Sequence, residues 1–299
     1  MFKIMLFEGG VYRFRELKEL IQDIGGFVVQ EMTMQSDVMM HLAFPADEER
    51  LVRDMVNSLG GKLRDLSLAG TEIMVVSPSL GKHHLVHPVC DIAEFLRREG
   101  AVTNVMGLSR GVGKRISQIA LKEREMIEEC DAAVFFFGNF AECIREKAEK
   151  LCEPLDIPYV IIGGPPEVEG VRNYVGGIGR RTDRMRRKSE IEKLGEVVDR
   201  LNEALDVKKR EIEEDTLSAP PMFIKEMIEA RIPLDTSEEL PIVIHLDGLR
   251  VRIGDEYASE LADVEVGRKR IRDICTIKKS AFEGYLLKIL PEAEVGSVF

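Results

Sequence analysis

Four runs of almost unbroken apolar residues set the strongest constraint on how this chain folds: TEIMVVSP (71–78), AVTNVMGL (101–108), DAAVFFFG (131–138) and PYVIIGGP (158–165). A strand with one face in water alternates polar with apolar residues. These runs do not alternate, so both of their faces must be covered. Segments with helical spacing of apolar residues separate them, at about 89–99, 115–129 and 140–151. Buried strands alternating with amphipathic helices build a parallel sheet flanked by helices, an α/β domain of the Rossmann or flavodoxin type, here spanning 71–188.

Residues 1–70 have a different rhythm. KIMLF (3–7) reads as a strand and 12–24 as a helix with apolar Phe14, Leu17, Leu20, Ile21 and Ile24, stopped by Gly25-Gly26. FVVQEMTM (27–34) and DVMMHLAF (37–44) read as strands about a Gln35-Ser36 turn, then a helix over 47–59, a Gly60-Gly61 stop and a last strand, KLRDLSLA. This βαββαβ order is ferredoxin-like. Beyond the α/β domain, a linker over 189–217 holds one long helix with Ile191, Leu194, Val197, Val198, Leu201, Ala204 and Leu205 on a single stripe. Residues 218–299 follow as a small α+β module, marked by IVIHLDGLRVRI, in which Asp247-Gly248 suits a two-residue type I′ turn.

Charge narrows the function classes. Lys and Arg number 42 against 53 Asp and Glu, a net charge of −11, which argues against a general binder of nucleic acid or of an anionic membrane. No run approaches the roughly 20 apolar residues of a membrane helix, and MFKIMLFEGG lacks the pattern of a secretory signal. The expected location is cytoplasmic. Five cysteines, at 90, 130, 143, 152 and 275, form neither a CxxC pair nor the even set of a disulfide framework.

In an open α/β sheet, ligands bind beyond the carboxyl ends of the strands where strand order reverses. The first of the four runs is followed by GKHHLVHPVCDIAEFLRREG, with His83, His84, His87 and Cys90; the third is followed by NFAECIREKAEKL, with Asn139 and Cys143. With a flavodoxin-like order these strands are neighbours, and Cys90 and Cys143 approach one another across the crevice. Pro88 suits a first helical position, and Asn139 with Glu142 suits an N-cap and its return partner. Both cysteines then lie at helix starts, which favour thiolate, the form that binds metal or attacks an electrophile. The histidines add ligands that suit iron or zinc. The plainer reading makes each cysteine a small buried hydrophobe and the histidines polar surface; Cys130, Cys152 and Cys275 are read that way.

GLSRGVGKRIS fails as a phosphate loop: five residues separate Gly107 from Gly113, and Arg115 follows Lys114. It reads as an ordinary connection or as an anion or partner site through Arg110 and Lys114. GRRTDRMRRK (179–188) gathers Arg180, Arg181, Arg184, Arg186, Arg187 and Lys188 in an otherwise acidic chain, either as a solvated face or for docking an acidic surface or polyanionic cofactor.

The blocks FEGGVYR, TEIMVVSPSLGKHHLVHPVCDIAEFLRREGA, GLSRGVGKRISQI, FGNFAECI and LDGLRVRI resemble methanogenesis marker protein 7, over essentially the whole chain. The resemblance implies a cytosolic protein of methane-producing archaea. It implies a place in the ATP-dependent complex that reductively activates methyl-coenzyme M reductase, with iron–sulfur clusters and electron delivery. Carried onto this sequence, Cys90, Cys143, His83, His84 and His87 fall in matching blocks. The leading reading of the crevice takes Cys90, Cys143 and His87 as metal ligands and adds His83, His84 and Asn139 to the cofactor-binding set. Two cysteines are too few for a four-thiolate cluster, so a shared cluster or one with few protein ligands is expected. The partners implied are the reductase and other subunits of the complex, including an ATP-hydrolysing one, since this chain lacks such a motif. Two alternatives stand beside this: a metal-free structural scaffold of that complex, or a small-molecule enzyme with Cys90 as nucleophile and His84 or His87 as base.

Overall fold

The computed structural model of the chain describes residues 2–10, 14–33, 37–78, 87–108, 118–179, 184–234 and 240–299. The chain divides into two compact units, Met1–Gly70 and Thr71–Phe299.

In the first unit β1 (Phe2–Gly10), α1 (Phe14–Asp23), β2 (Phe27–Thr33), β3 (Asp37–Pro45), α2 (Glu49–Ser58) and β4 (Lys62–Asp65) follow the expected order. The sheet is antiparallel throughout, in the order β2-β3-β1-β4, which is the ferredoxin-like arrangement. Period-two side chains of β1 and β3 (Met5 and Phe7; Val38, Met40, Leu42 and Phe44) meet Leu17 and Ile21 of α1 and Val52 and Val56 of α2 in one core. Each such buried side chain contributes about 1.5–3 kcal/mol. Gly25 (φ +74°) and Gly60 (φ +69°) end the two helices in the left-handed region, and the amides of Gly26 and Gly61 return to the carbonyls of Ile21 and Val56.

The second unit is built on β5 (Glu72–Ser77), α3 (His87–Arg98), β6 (Val102–Gly107), α4 (Leu121–Glu129), β7 (Ala132–Gly138), α5 (Ala141–Lys147), β8 (Tyr159–Gly163), β9 (Tyr174–Val175) and α6 (Lys188–Glu214). Five parallel strands lie in the order β6-β5-β7-β8-β9, so the first and third strands are neighbours and strand order reverses between them. Every residue of β5 and β7 is buried. Met74, Val76, Phe135, Phe137 and Ile161 pack beneath Ile127 of α4 and Ile144, Ala148 and Leu151 of α5 and its π-helical extension. The long helix α6 packs along β8, β9 and α3.

After α7 (Pro221–Arg231) come β10 (Ile242–His245), β11 (Gly248–Val251), α8 (Ala258–Ala262), the ribbon β12 (Glu265–Val266) and β13 (Lys269–Arg270), α9 (Ile271–Ile274), β14 (Cys275–Lys279) and β15 (Tyr285–Ile289). β10-β11-β15-β14 form an antiparallel sheet. The β10–β11 turn departs from expectation. His245 pairs with Gly248, so Leu246-Asp247 is the two-residue turn, and neither residue has the positive φ of a type I′ turn. Gly248 serves close packing instead, since a Cβ there would lie 2.0 Å from the Leu287 carbonyl oxygen of β15. The Asp247 carboxylate is engaged by two lysines, described below.

Candidate functional site

β5 ends at Ser77 and β7 at Gly138, side by side in the sheet, and the helices that follow them, α3 and α5, start at this carboxyl edge. Cys90 lies in the first turn of α3 with an exposed thiol, and Cys143 in the first turn of α5, half-buried. Cys130, Cys152 and Cys275 are buried. Burial pushes all three thiols up, Cys275 to about 12, so they stay neutral and unreactive.

Two polar residues organise the crevice. Asp91, next to Cys90 and buried, accepts from Arg184 Nη1 at 2.6 Å and from the Met185 amide at 2.9 Å. These bonds fasten the basic run 184–188 onto the start of α3. The guanidinium, held by the Asp91 carboxylate and also within the field of the Cys90 sulfur, has its pKa raised. Asn139, after β7, is the second. A Cβ on Gly164 or Gly179 would come within 2.7 Å or 2.5 Å of its Oδ1, so only glycine lets both backbones close on the carboxamide. The Gly164 amide donates to the Gly138 carbonyl (2.8 Å), the Ile178 amide to that of Gly163 (2.9 Å), and the Tyr174 hydroxyl to that of Pro165 (2.6 Å). Residues 164–179 are thereby strapped across the ends of β7 and β8.

The N-cap reading of Asn139 needs correction. The cap of α5 is Phe140, in extended backbone and without a side-chain cap; the Asn139 carboxamide lies against Gly164 and Gly179, and Glu142 pairs with Arg145 at 3.2 Å. His87 opens α3. His83, His84, Arg110, Lys114, Arg180 and Arg181 lie outside the described residues. Arg186 and Arg187 are exposed, and their backbone amides donate to Glu190 at 2.8 Å and 2.9 Å. Among the described residues no three His, Cys, Asp or Glu side chains are grouped to hold a metal ion. The described thiols at this edge are two, Cys90 and Cys143, fewer than the four ligands of a closed site.

A second polar cluster, at the amino edge of the same sheet, was not anticipated. Glu72, the first residue of β5, is fully buried; its carboxylate faces His245 Nε2 at 2.8 Å and accepts from Arg250 Nη1 at 2.7 Å, from Arg250 Nη2 and from Asn104 Nδ2 at 2.6 Å. Burial pushes its pKa up, but the hydrogen bonds from His245 and Arg250 and the guanidinium charge outweigh it and hold the value at about 2. The Arg250 guanidinium stacks on the Phe282 ring at 4.0 Å. Asp131, before β7, accepts from the Glu72 amide (2.9 Å), Lys208 Nζ (3.0 Å) and the Leu246 amide (3.1 Å), and Asp247 pairs with Lys288 (2.6 Å) and Lys208 (3.2 Å). Charged residues flanking apolar strands, Glu72 and Asp131, were the sequence signal for it. The cluster joins residues 245–288 to the sheet and lies at the opposite end of the strands from the crevice.

No helix among the described residues is long and apolar enough to cross a membrane. Residues 2–264 match the family model of methyl-coenzyme M reductase operon protein C. An uncharacterized protein of Methanocaldococcus jannaschii is 44% identical over 299 residues, 99% of this chain and 96% of that protein. Methyl-coenzyme M reductase I operon protein C of the same organism is 30% identical across 34% of this chain and 57% of its own length. The operon protein C of Methanosarcina barkeri is 28% identical across 34% of this chain and 53% of its own length. The chain thus matches little more than half the length of these two operon proteins. A solved structure, glutamyl-tRNA reductase from Methanopyrus kandleri, matches over 76% of this chain and 86% of its own at 10% identity, with a TM-score of 0.23.

Proposed function

This chain belongs to the methyl-coenzyme M reductase operon protein C family, and from that membership we propose that it is a subunit of the ATP-dependent assembly that reductively activates methyl-coenzyme M reductase. The family ties the chain to the methyl-coenzyme M reductase system; the finer placement, as a methanogenesis marker protein 7, rests on the HHLVHPVCDIAEFLRR and FGNFAECI blocks. In this reading Cys90 and Cys143 hold an iron–sulfur cluster at the carboxyl edge of the sheet, with His87 as a further donor and the remaining ligands from a partner. A cluster there supplies one-electron transfer toward the nickel cofactor of the reductase. Asp91 and Arg184 fix the α3 side of the crevice, and Asn139 with its glycine strap fixes the α5 side. ATP hydrolysis belongs to a partner.

The observation that supports this reading most is the shared placement of Cys90 and Cys143. Each occupies the first turn of a helix following one of two adjacent parallel strands, at the point where strand order reverses, while the other three thiols are buried. The test is the iron, sulfide and zinc content of anaerobically isolated protein with its co-purifying partners, beside Cys90→Ser and Cys143→Ser. Iron and sulfide lost in either variant, with partners retained, is the expected result. Metal content identical in wild type and both variants would sink the cluster at this crevice, and no metal in any of them would leave a structural scaffold.

A further inference from the structure

We propose that the carboxyl edge of the parallel sheet is a docking face for an acidic protein surface, built from apolar anchors at three helix starts and the cations of residues 184–188. This deepens the association proposed above and rests on it for the choice of probe, but requires no metal.

Phe140, the N-cap of α5, is 70% exposed; Leu121, the first residue of α4, is 75% exposed; Ile191, in the first turn of α6, is 47% exposed. All three sit at one edge. α4 leads into β7 and α5 leaves it, so both helices start at the carboxyl ends of the strands. The start of α6 is held there because Asp91, near the start of α3, binds Arg184 and Met185. Asn139, adjacent to Phe140, is pinned against Gly179, and Arg184 follows Gly179 by five residues, at most about 18 Å of chain. Phe140 and the cations therefore belong to one surface.

Charge identifies the occupant. Arg186 and Arg187 make no side-chain ion pair among the described residues, and the almost fully exposed Lys188 ammonium reaches only Glu192, at 4.0 Å. In a chain of net charge −11, these cations around exposed apolar side chains complement carboxylates that ring an apolar recess. A second copy of this chain, equally acidic overall, is repelled at long range.

The test measures anaerobic binding of the purified full chain to purified methyl-coenzyme M reductase. Phe140→Asp, and the pair Arg186→Glu with Arg187→Glu, are each expected to weaken binding about tenfold or more. Wild-type affinity should fall with added salt, and more steeply than that of the charge-reversed pair. A zero-length carbodiimide should couple Lys188 to an Asp or Glu of the reductase. Both variants alter exposed side chains, and unchanged melting temperatures would certify their fold. Equal affinity in wild type and variants would overturn the docking face while leaving the association intact. No binding by wild type would overturn both. Self-association of the wild type that Phe140→Asp abolishes would assign the face to a second copy and overturn the acidic partner.

Discussion

Glu72 is a carboxylate without access to water, kept ionised by a guanidinium, an imidazole and a carboxamide. Removing one partner of such a buried set costs more than the set contributes, because the other charge stays buried and unpaired. Glu72→Gln keeps the shape and strands the Arg250 charge, and should destabilise the protein by about 3 kcal/mol in denaturant titrations. The pH dependence has a definite sign. The folded value of about 2 lies below the ordinary 4.5, so the stabilisation is complete above pH 4.5 and lost as pH falls toward 2. That shift corresponds to about 3 kcal/mol. Asp247, also held below its ordinary range once its lysines outweigh its burial, acts in the same direction. The loss of melting temperature between pH 5 and pH 2 should therefore be smaller in Glu72→Gln than in wild type; an identical loss would rule out Glu72 as a contributor.

Among the elements, glycines separate two kinds of constraint. Gly195 lies inside α6 with nothing within 4 Å of a Cβ, so Gly195→Ala should stabilise by about 0.5–1 kcal/mol through helix propensity. Gly176 lies in the strap, where a Cβ would meet the carbonyl oxygens of Pro166 at 2.1 Å and Pro165 at 2.5 Å. Gly176→Ala should lower the melting temperature and disturb the ends of β7 and β8; a melting temperature at or above wild type would refute that close approach. Elements were also what the sequence disclosed best. The Gly25 and Gly60 stops and the buried β5 and β7 follow from local spacing, whereas the adjacency of those strands held only on an assumed flavodoxin-like order, which the sheet has. The pairings of Glu72 with His245 and Arg250 span 173 and 178 residues, and no local pattern encodes a partner at that distance. The Asp247-Gly248 reading failed because the turn lies one residue earlier, on Leu246-Asp247, while Asp247 serves as a lysine partner and Gly248 as a packing gap. At the candidate site, helix starts and cysteine placement were legible. The bond from Arg184 to Asp91, 93 residues away, was not.

For the whole molecule, the two units differ in self-sufficiency. The first encloses its core between its own sheet and its own two helices. Residues 1–70 expressed alone should show a cooperative thermal transition by circular dichroism. The central sheet cannot be cut free in the same way. The partners of Glu72 and Asp131 include His245, Leu246 and Arg250, and Glu129 accepts from Ser280 Oγ and the Ala281 amide, both at 2.7 Å. A chain of 71–217 should therefore be insoluble or molten where 71–299 folds, and a sharp transition in 71–217 would disprove that dependence.

α6 is 27 residues long, a rod of about 40 Å. The segment leading into it is bolted to Asp91, and Lys208, about 30 Å along from Lys188, is bolted to Asp131 and Asp247. A strut fixed at both ends does not stretch. Tied at these two places, α6 fixes the spacing between the crevice at one edge of the sheet and the β10–β11 turn at the other.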